Sequence, residues 1–441
     1  MNKILFIIIF SGAIACTNSQ TPSMNTGTDD PADSLTLSYV IDRVIKTHPS
    51  IKESEEAIRE ADAKIGLART GYYPNVDLTG IYTRIGPVST FSIPELGNFK
   101  LFPENNYSVS LNIDEKIFDF GKTSKNVEYE NENKVLAKEK LDLVRQNLSL
   151  MSINSFFYIS YLQDAITIKN KQLSDLQEHL DFVTKKHETG SAIQYEILTT
   201  RVKISAVESQ KIDLETSLNI QRSVLNSLLG LPASSSFNVK RDNSEAVIGV
   251  QEDSLVSYAE THRDEMTISK EKSTLAELHY NVIKTQNYPQ INVFATGGWK
   301  NGYIPNLNTF TANFAAGIGV TLPIFDAGRN KNNLLLAKSS ILENDQETEL
   351  IRRKIQDDVV QNQENLKSAQ KKVDQFTLQL TQAEQAYVLA EVNYKAGAIT
   401  NLDLLDASTN VSESRLMLLK AQIDYIVSVY RLKAALGQKL Y

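Results

Sequence analysis

Cysteine is nearly missing from this sequence: a single thiol, Cys16, stands among 441 residues. One thiol cannot form a disulfide within the chain, so stability does not rest on covalent staples. Positive charge is also short, with 46 Lys and Arg against 53 Asp and Glu for a net charge of −7. That balance argues against a nucleic-acid binder, which would carry a basic face. Past the N-terminus no stretch holds the ~18 consecutive apolar residues of a membrane helix, so strands would have to make any membrane crossing. The five histidines, His48, His179, His187, His262 and His279, fall in no spacing that would clasp a metal. His48 precedes Pro49 at a break between two helices, and His262 stands in the corresponding place of the second half. A P-loop and a serine nucleophile elbow are missing, and Gly317-Ile318-Gly319 lacks the third glycine of a dinucleotide fingerprint. The sequence therefore points to no cofactor, no metal and no catalytic residue, and away from an enzyme.

Glycine and proline are absent where it matters most. Residues 122–189 and 329–396 contain neither over 68 residues each, and 191–229 and 398–436 contain neither over 39 residues each. A helix interior is destabilised by ~1 kcal/mol per glycine and ~3 kcal/mol per proline, so these four stretches read as continuous helices. Two of them would be ~100 Å long at ~1.5 Å per residue. Leu136, Leu143, Leu150 and Phe157 recur every seven residues, flanked by Val144, Leu148, Met151 and Tyr158, as in a coiled coil.

The matching lengths are signs of a duplication. Ile117-Phe118-Asp119-Phe120-Gly121-Lys122 returns as Ile324-Phe325-Asp326-Ala327-Gly328-Arg329, Gly190 as Gly397 and Gly230 as Gly437, all 207 residues on. Tyr73-Pro74 returns as Tyr288-Pro289 after 215 residues, which gives the first half eight extra residues in an expected loop. We read residues 1–15 as a signal peptide, from Lys3 and the apolar run Ile4 to Phe10. Ala13-Ile14-Ala15 before Cys16 fits either an ordinary cleavage site or lipid modification of Cys16; the sole cysteine at that position favours the lipid. Residues 16–34 read as a flexible tether, 35–232 as the first repeat, 233–253 as a linker and 254–441 as the second repeat.

Between the helices lie four segments of alternating polarity. Val76, Leu78 and Tyr82 form one set, and Tyr107, Val109, Leu111 and Ile113 a second. Ile291, Val293, Ala295 and Trp299 form a third, and Phe314, Ala316, Ile318, Val320 and Leu322 a fourth. Each segment is long enough for a tilted strand to cross a bilayer, and Tyr73, Tyr107, Tyr288, Trp299 and Phe314 suit the membrane interfaces. Four strands cannot close a barrel, and an open edge in lipid is prohibitive, so an oligomer is expected.

In the order and spacing of these features the sequence resembles the outer-membrane efflux proteins. The resemblance covers residues 37–441 and rests on Tyr72-Tyr73-Pro74, the two Phe-Asp-x-Gly motifs, Tyr394-Lys395-Ala396-Gly397, Asn401-Leu402-Asp403-Leu404-Leu405-Asp406 and the Leu-Gly closing each half. It implies an α+β membrane protein: a homotrimer whose four strands per chain build one β-barrel in outer-membrane lipid, continued by a long α-helical barrel through the periplasm. It implies a passive exit duct for efflux or type I secretion, linked by a periplasmic adaptor to an inner-membrane pump. Gly190, Ser191, Ala192, Gly397, Ala398 and Ile399 would be the adaptor-contacting tips. Asp403 and Asp406, three copies each, would ring the entrance, raise one another's pKa and attract cations. Tyr394 and Glu196 would latch the closed tip, with Ile399 standing where the family often has arginine. The alternatives are an elongated coiled-coil adhesin or spacer anchored by strands, and a periplasmic adaptor, whose expected β-domains are not seen.

Overall fold

The fold, seen in a computed structural model, is described for residues 34–94, 97–241 and 254–441. The expected signal peptide, Cys16, and most of the tether and linker lie outside the described residues. In chain order the elements are β1 (Ser34–Leu35), α1 (Leu37–Thr47), α2 (Pro49–Arg69), β2 (Asn75–Arg84), β3 (Thr90–Ile93), β4 (Gly97–Lys100), β5 (Asn105–Phe118), α3 (Lys122–Glu188) and α4 (Gln194–Leu229). The second half follows with β6 (Asn238–Val239), α5 (Leu255–His262), α6 (Asp264–Lys284), β7 (Gln290–Lys300), β8 (Thr311–Thr321), α7 (Arg329–Lys395) and α8 (Asn401–Ala435). The extra residues of the first half, expected as loop, form the β3–β4 hairpin between β2 and β5.

Helices α3 and α7 each run 67 residues, ~100 Å at ~1.5 Å per residue. Each is doubled along its length by two shorter helices. Towards the strands α2 packs on α3 and α6 on α7; towards the far tips α4 packs on α3 and α8 on α7. The halves join through α3, which meets α6 and α8 of the second repeat. The main core lies about midway along α3, where Ile153, Phe156, Ile159 and Leu162 pack with Val40 and Val44 of α1 and Leu225 and Leu229 of α4. The heptad positions Leu136 and Phe157 are buried, whereas Met151 and Tyr158 face outward. In the second half Arg263, between α5 and α6, pairs with Glu265 of α6 at 2.6 Å and reaches Asp358 of α7 at 2.5 Å.

Strands β2, β5, β7 and β8 form one antiparallel sheet in the order β2-β5-β7-β8. Register carries the alternation across every strand: Leu78 faces Leu111, which faces Gly297, which faces Phe314; Val76 faces Ile113, then Ala295, then Ala316. The apolar sets therefore share one face, as a sheet with one side in lipid requires. The other face is polar and tied across strands: the Asn112 amide donates to Asp77 and Thr79 and accepts from Thr296 at 2.8 Å. Gly298 lies so close to β5 that an added Cβ would sit 2.0 Å from the Val109 carbonyl oxygen.

The repeated Phe-Asp-x-Gly motif is a start signal for the two longest helices. Phe120 and Gly121, and likewise Ala327 and Gly328, turn with positive φ. Asp119 then accepts from the Gly121 and Thr123 amides at 3.0 and 2.8 Å, and Asp326 from those of Gly328 and Asn330 at 2.9 Å each. These amides have no partner inside the helix, so the carboxylates satisfy donors that the first turn leaves open. Asp119→Ala should destabilise the chain by roughly 0.5–2 kcal/mol, the usual loss for a capping side chain. Chemical denaturation read by helix content checks this; an unchanged midpoint and slope would show the motif does not anchor α3.

Candidate functional site

The ends of the long helices farthest from the sheet are where the sequence placed its candidate residues. Both tip turns are built alike. Gly190 and Gly397 take φ near +76° and +75°, a conformation that strains any residue with a side chain. In each the amide after the glycine reaches back five residues, Ser191 to the Lys186 carbonyl and Ala398 to the Asn393 carbonyl, at 2.8 Å. This is the Schellman ending of a helix, and it sends the chain back on itself within a few residues. Gly190, Ser191, Gly397 and Ala398 are exposed and Ile399 partly so. Ala192 differs from expectation: it is buried against Val183 and Ile197, so it packs the turn instead of facing a partner.

Glu196 and Asp403 stand six residues after their glycines, yet do different work. Helix α8 begins with Thr400, whose hydroxyl accepts from the Asp403 amide at 3.2 Å, while the Asp403 carboxylate accepts from the Thr400 amide at 2.9 Å and hydroxyl at 2.7 Å. The hydrogen bonds from Thr400 hold the Asp403 carboxyl below the ordinary aspartate range. Helix α4 begins with Ile193, which has no side-chain cap to offer. Glu196 is therefore free to turn sideways, and its carboxylate accepts from the Tyr394 hydroxyl of α7 at 2.8 Å. Tyr394 is buried, and burial together with the Glu196 carboxylate pushes its phenol far above the usual range, so it remains a donor. The expected Tyr394–Glu196 pair thus forms within one chain.

Residues the sequence did not single out complete the cluster. Lys186 lies 4.8 Å from the centre of the Tyr394 ring, a cation–π distance. Asn401, buried at the start of α8, meets the Glu196 backbone carbonyl at 3.3 Å and His179 of α3 at 2.6 Å. Thr400-Asn401-Leu402-Asp403 was legible as a capping box, since Thr followed three residues on by an acid is its signature. The His179–Asn401 contact joins residues 222 apart in sequence and has no local signal. Asp406 is exposed on α8 with its nearest cation, Lys203 of α4, at 4.0 Å. Within one chain the Asp403 carboxyl moves down, held by Thr400.

No helix among the described residues is long and apolar enough to cross a membrane. Residues 40–231 and 259–438 match the family model for outer membrane efflux proteins, one stretch for each half of the duplication. The chain belongs to the outer membrane efflux protein family. It is similar to the outer membrane efflux protein BepC of Brucella suis, with 21% identity over 93% of this chain and 87% of that protein. The outer membrane protein TolC of Escherichia coli K12 is 19% identical over 91% of this chain and 82% of its own length. Among solved structures, VceC from Vibrio cholerae superposes with a TM-score of 0.75 at 18% identity, covering 92% of this chain and 97% of that one. Its fold is therefore that of an outer-membrane channel, and the membership decides for an efflux duct over a strand-anchored spacer.

Linkage gives the sign of one pH effect. Because the Asp403 pKa is depressed in the folded chain, its capping contribution is present above the ordinary aspartate range and is lost as pH falls through the lowered value. Amide exchange over residues 400–404 should accelerate in that acid window, and Asp403→Ala should show fast exchange already at neutral pH. Equal protection in both proteins would mean that the box does not hold the start of α8.

Proposed function

We propose that three copies of this chain close head to tail into one passive duct from the periplasm through the outer membrane. The observation that carries this reading is the pair of free edges. The sheet ends at β2 on one side and β8 on the other, and these run antiparallel to each other, as closure with a neighbouring copy demands. The helical layer has the same order, α4, α3, α8, α7, with α4 and α7 at the outside until the tip, where Tyr394 meets Glu196. Both carry exposed apolar residues, Tyr195, Leu198 and Val202 on α4 and Leu350, Val388 and Val392 on α7, which a neighbouring copy would cover. An open strand edge in lipid leaves backbone groups without partners, at several kcal/mol each. Two copies would make about eight strands, a barrel whose interior side chains fill; three make the smallest closed form with a lumen.

The tips then face the periplasm and act as the entrance. Gly190, Ser191, Gly397, Ala398 and Ile399 are available to a periplasmic adaptor, which would link the duct to an inner-membrane pump that supplies the energy. Asp403 and Asp406, three copies of each, would ring the aperture and draw cations to it. Opening separates the α7–α8 hairpin from the α3–α4 hairpin by parting Tyr394 from Glu196, a switch between two packed arrangements. The duct does no chemistry, and lipid on Cys16 would anchor its N-terminus beside the barrel.

Protein extracted in mild detergent from outer membranes should run at about three times the 49.3 kDa chain mass, beyond the detergent contribution, and withstand dilution. A monomer would leave β2 and β8 unpaired and end the duct reading. In planar bilayers, Asp403→Asn together with Asp406→Asn should weaken block by multivalent cations. Block at wild-type concentrations would remove the two aspartates from the aperture.

A further inference from the structure

We propose that His179 and Asn401 are positioning residues of the closed tip, the hub through which the Tyr394–Glu196 bond is held; this rests on reading the tips as the gate. The four residues make a closed circuit, with one member on each tip helix. His179 on α3 meets the Asn401 side-chain oxygen on α8 at 2.6 Å. The Asn401 amide nitrogen meets the Glu196 backbone carbonyl on α4 at 3.3 Å. The Glu196 carboxylate accepts from Tyr394 on α7, and the Tyr394 ring returns to the His179 ring at 5.5 Å between centroids.

The donors and acceptors fix the orientation of every member. The Thr200 hydroxyl gives its proton to the Glu196 carbonyl at 2.8 Å, so it offers only lone pairs to Asn401, 3.3 Å away. A carbonyl and a spent hydroxyl on one side require the Asn401 NH2 group to face them. Its oxygen must then face His179, and His179 Nε2 must carry a proton in either charge state. Asn401 is only 4% exposed, so water cannot replace a lost partner cheaply. Glu196 is thus gripped twice, by side chain from α7 and by backbone from α8. Parting the two hairpins breaks both grips together, and Tyr394 is kept against Glu196 by a histidine that itself depends on Asn401.

The test compares ion conductance of the purified protein in planar bilayers, without adaptor, with pump-supported export in cells. His179→Ala and Asn401→Leu should each raise conductance several-fold, roughly as Tyr394→Phe does. His179→Gln, which keeps an N–H for the Asn401 oxygen, should restore low conductance. The double variant Tyr394→Phe with Asn401→Leu should conduct less than the product of the single effects, because the two grips share Glu196. Export should persist in His179→Ala, since the opened tip does not use the hub; a merely misfolded protein would lose it. If Tyr394→Phe leaks while His179→Ala and Asn401→Leu stay as tight as wild type, the hub is wrong and the gate reading survives. If no tip variant, Tyr394→Phe included, changes conductance, the gate reading falls and the hub with it.

Discussion

A backbone amide or carbonyl in lipid has no water to turn to, and the rest of this structure follows from that constraint. The chain brings four strands, each long enough for the bilayer, in a sheet whose two outer strands have one side unpaired. No rearrangement within a single copy removes both edges, because four strands cannot curl onto themselves. The protein must therefore be completed by its own kind. The helical layer inherits the same requirement, for α4 and α7 sit at its open sides as β2 and β8 sit at those of the sheet.

The helices solve a different problem, that of reaching across an aqueous space with a thin wall. A single ~100 Å helix would be a flexible rod with little to bury. Here each long helix is accompanied by two shorter ones, one towards the sheet and one towards the tip. Burial is concentrated midway, around Phe156 and Leu162, where α1 and α4 both meet α3. Towards the tip the core thins to small groups such as Val183, Ala192 and Ile197. Regions with few buried apolar contacts open at lower cost than the core, so the tip is the less firmly held end.

Duplication followed by divergence is visible at single residues. The two tip turns keep the same Schellman geometry, and the two long helices keep the same aspartate anchor. Yet the acidic residues six positions beyond the tip glycines have separated in role. Thr400 binds Asp403 into a cap, whereas Ile193 leaves Glu196 free to reach Tyr394. A change at the cap position thus decides whether the nearby carboxylate starts a helix or joins two hairpins.

Much of this was legible in the sequence, because the signals are local or periodic. Glycine and proline interrupt a helix wherever they fall, so their absence gave the long helices to within a few residues. Strand alternation follows from the pleat, and the repeat offset follows from duplication; the Tyr394–Glu196 pair came with the family resemblance. What the sequence left open are contacts between distant segments. The pairing of β5 with β7 across the two halves, the burial of Ala192 and the meeting of His179 with Asn401 depend on where whole helices and strands come to rest. A hydrogen bond between residues 222 apart leaves no period and no motif. The sequence by itself determined the elements and their duplication, since these are set by neighbours along the chain. Only the tertiary structure decided which side chains meet at the tip, because that is set by neighbours in space.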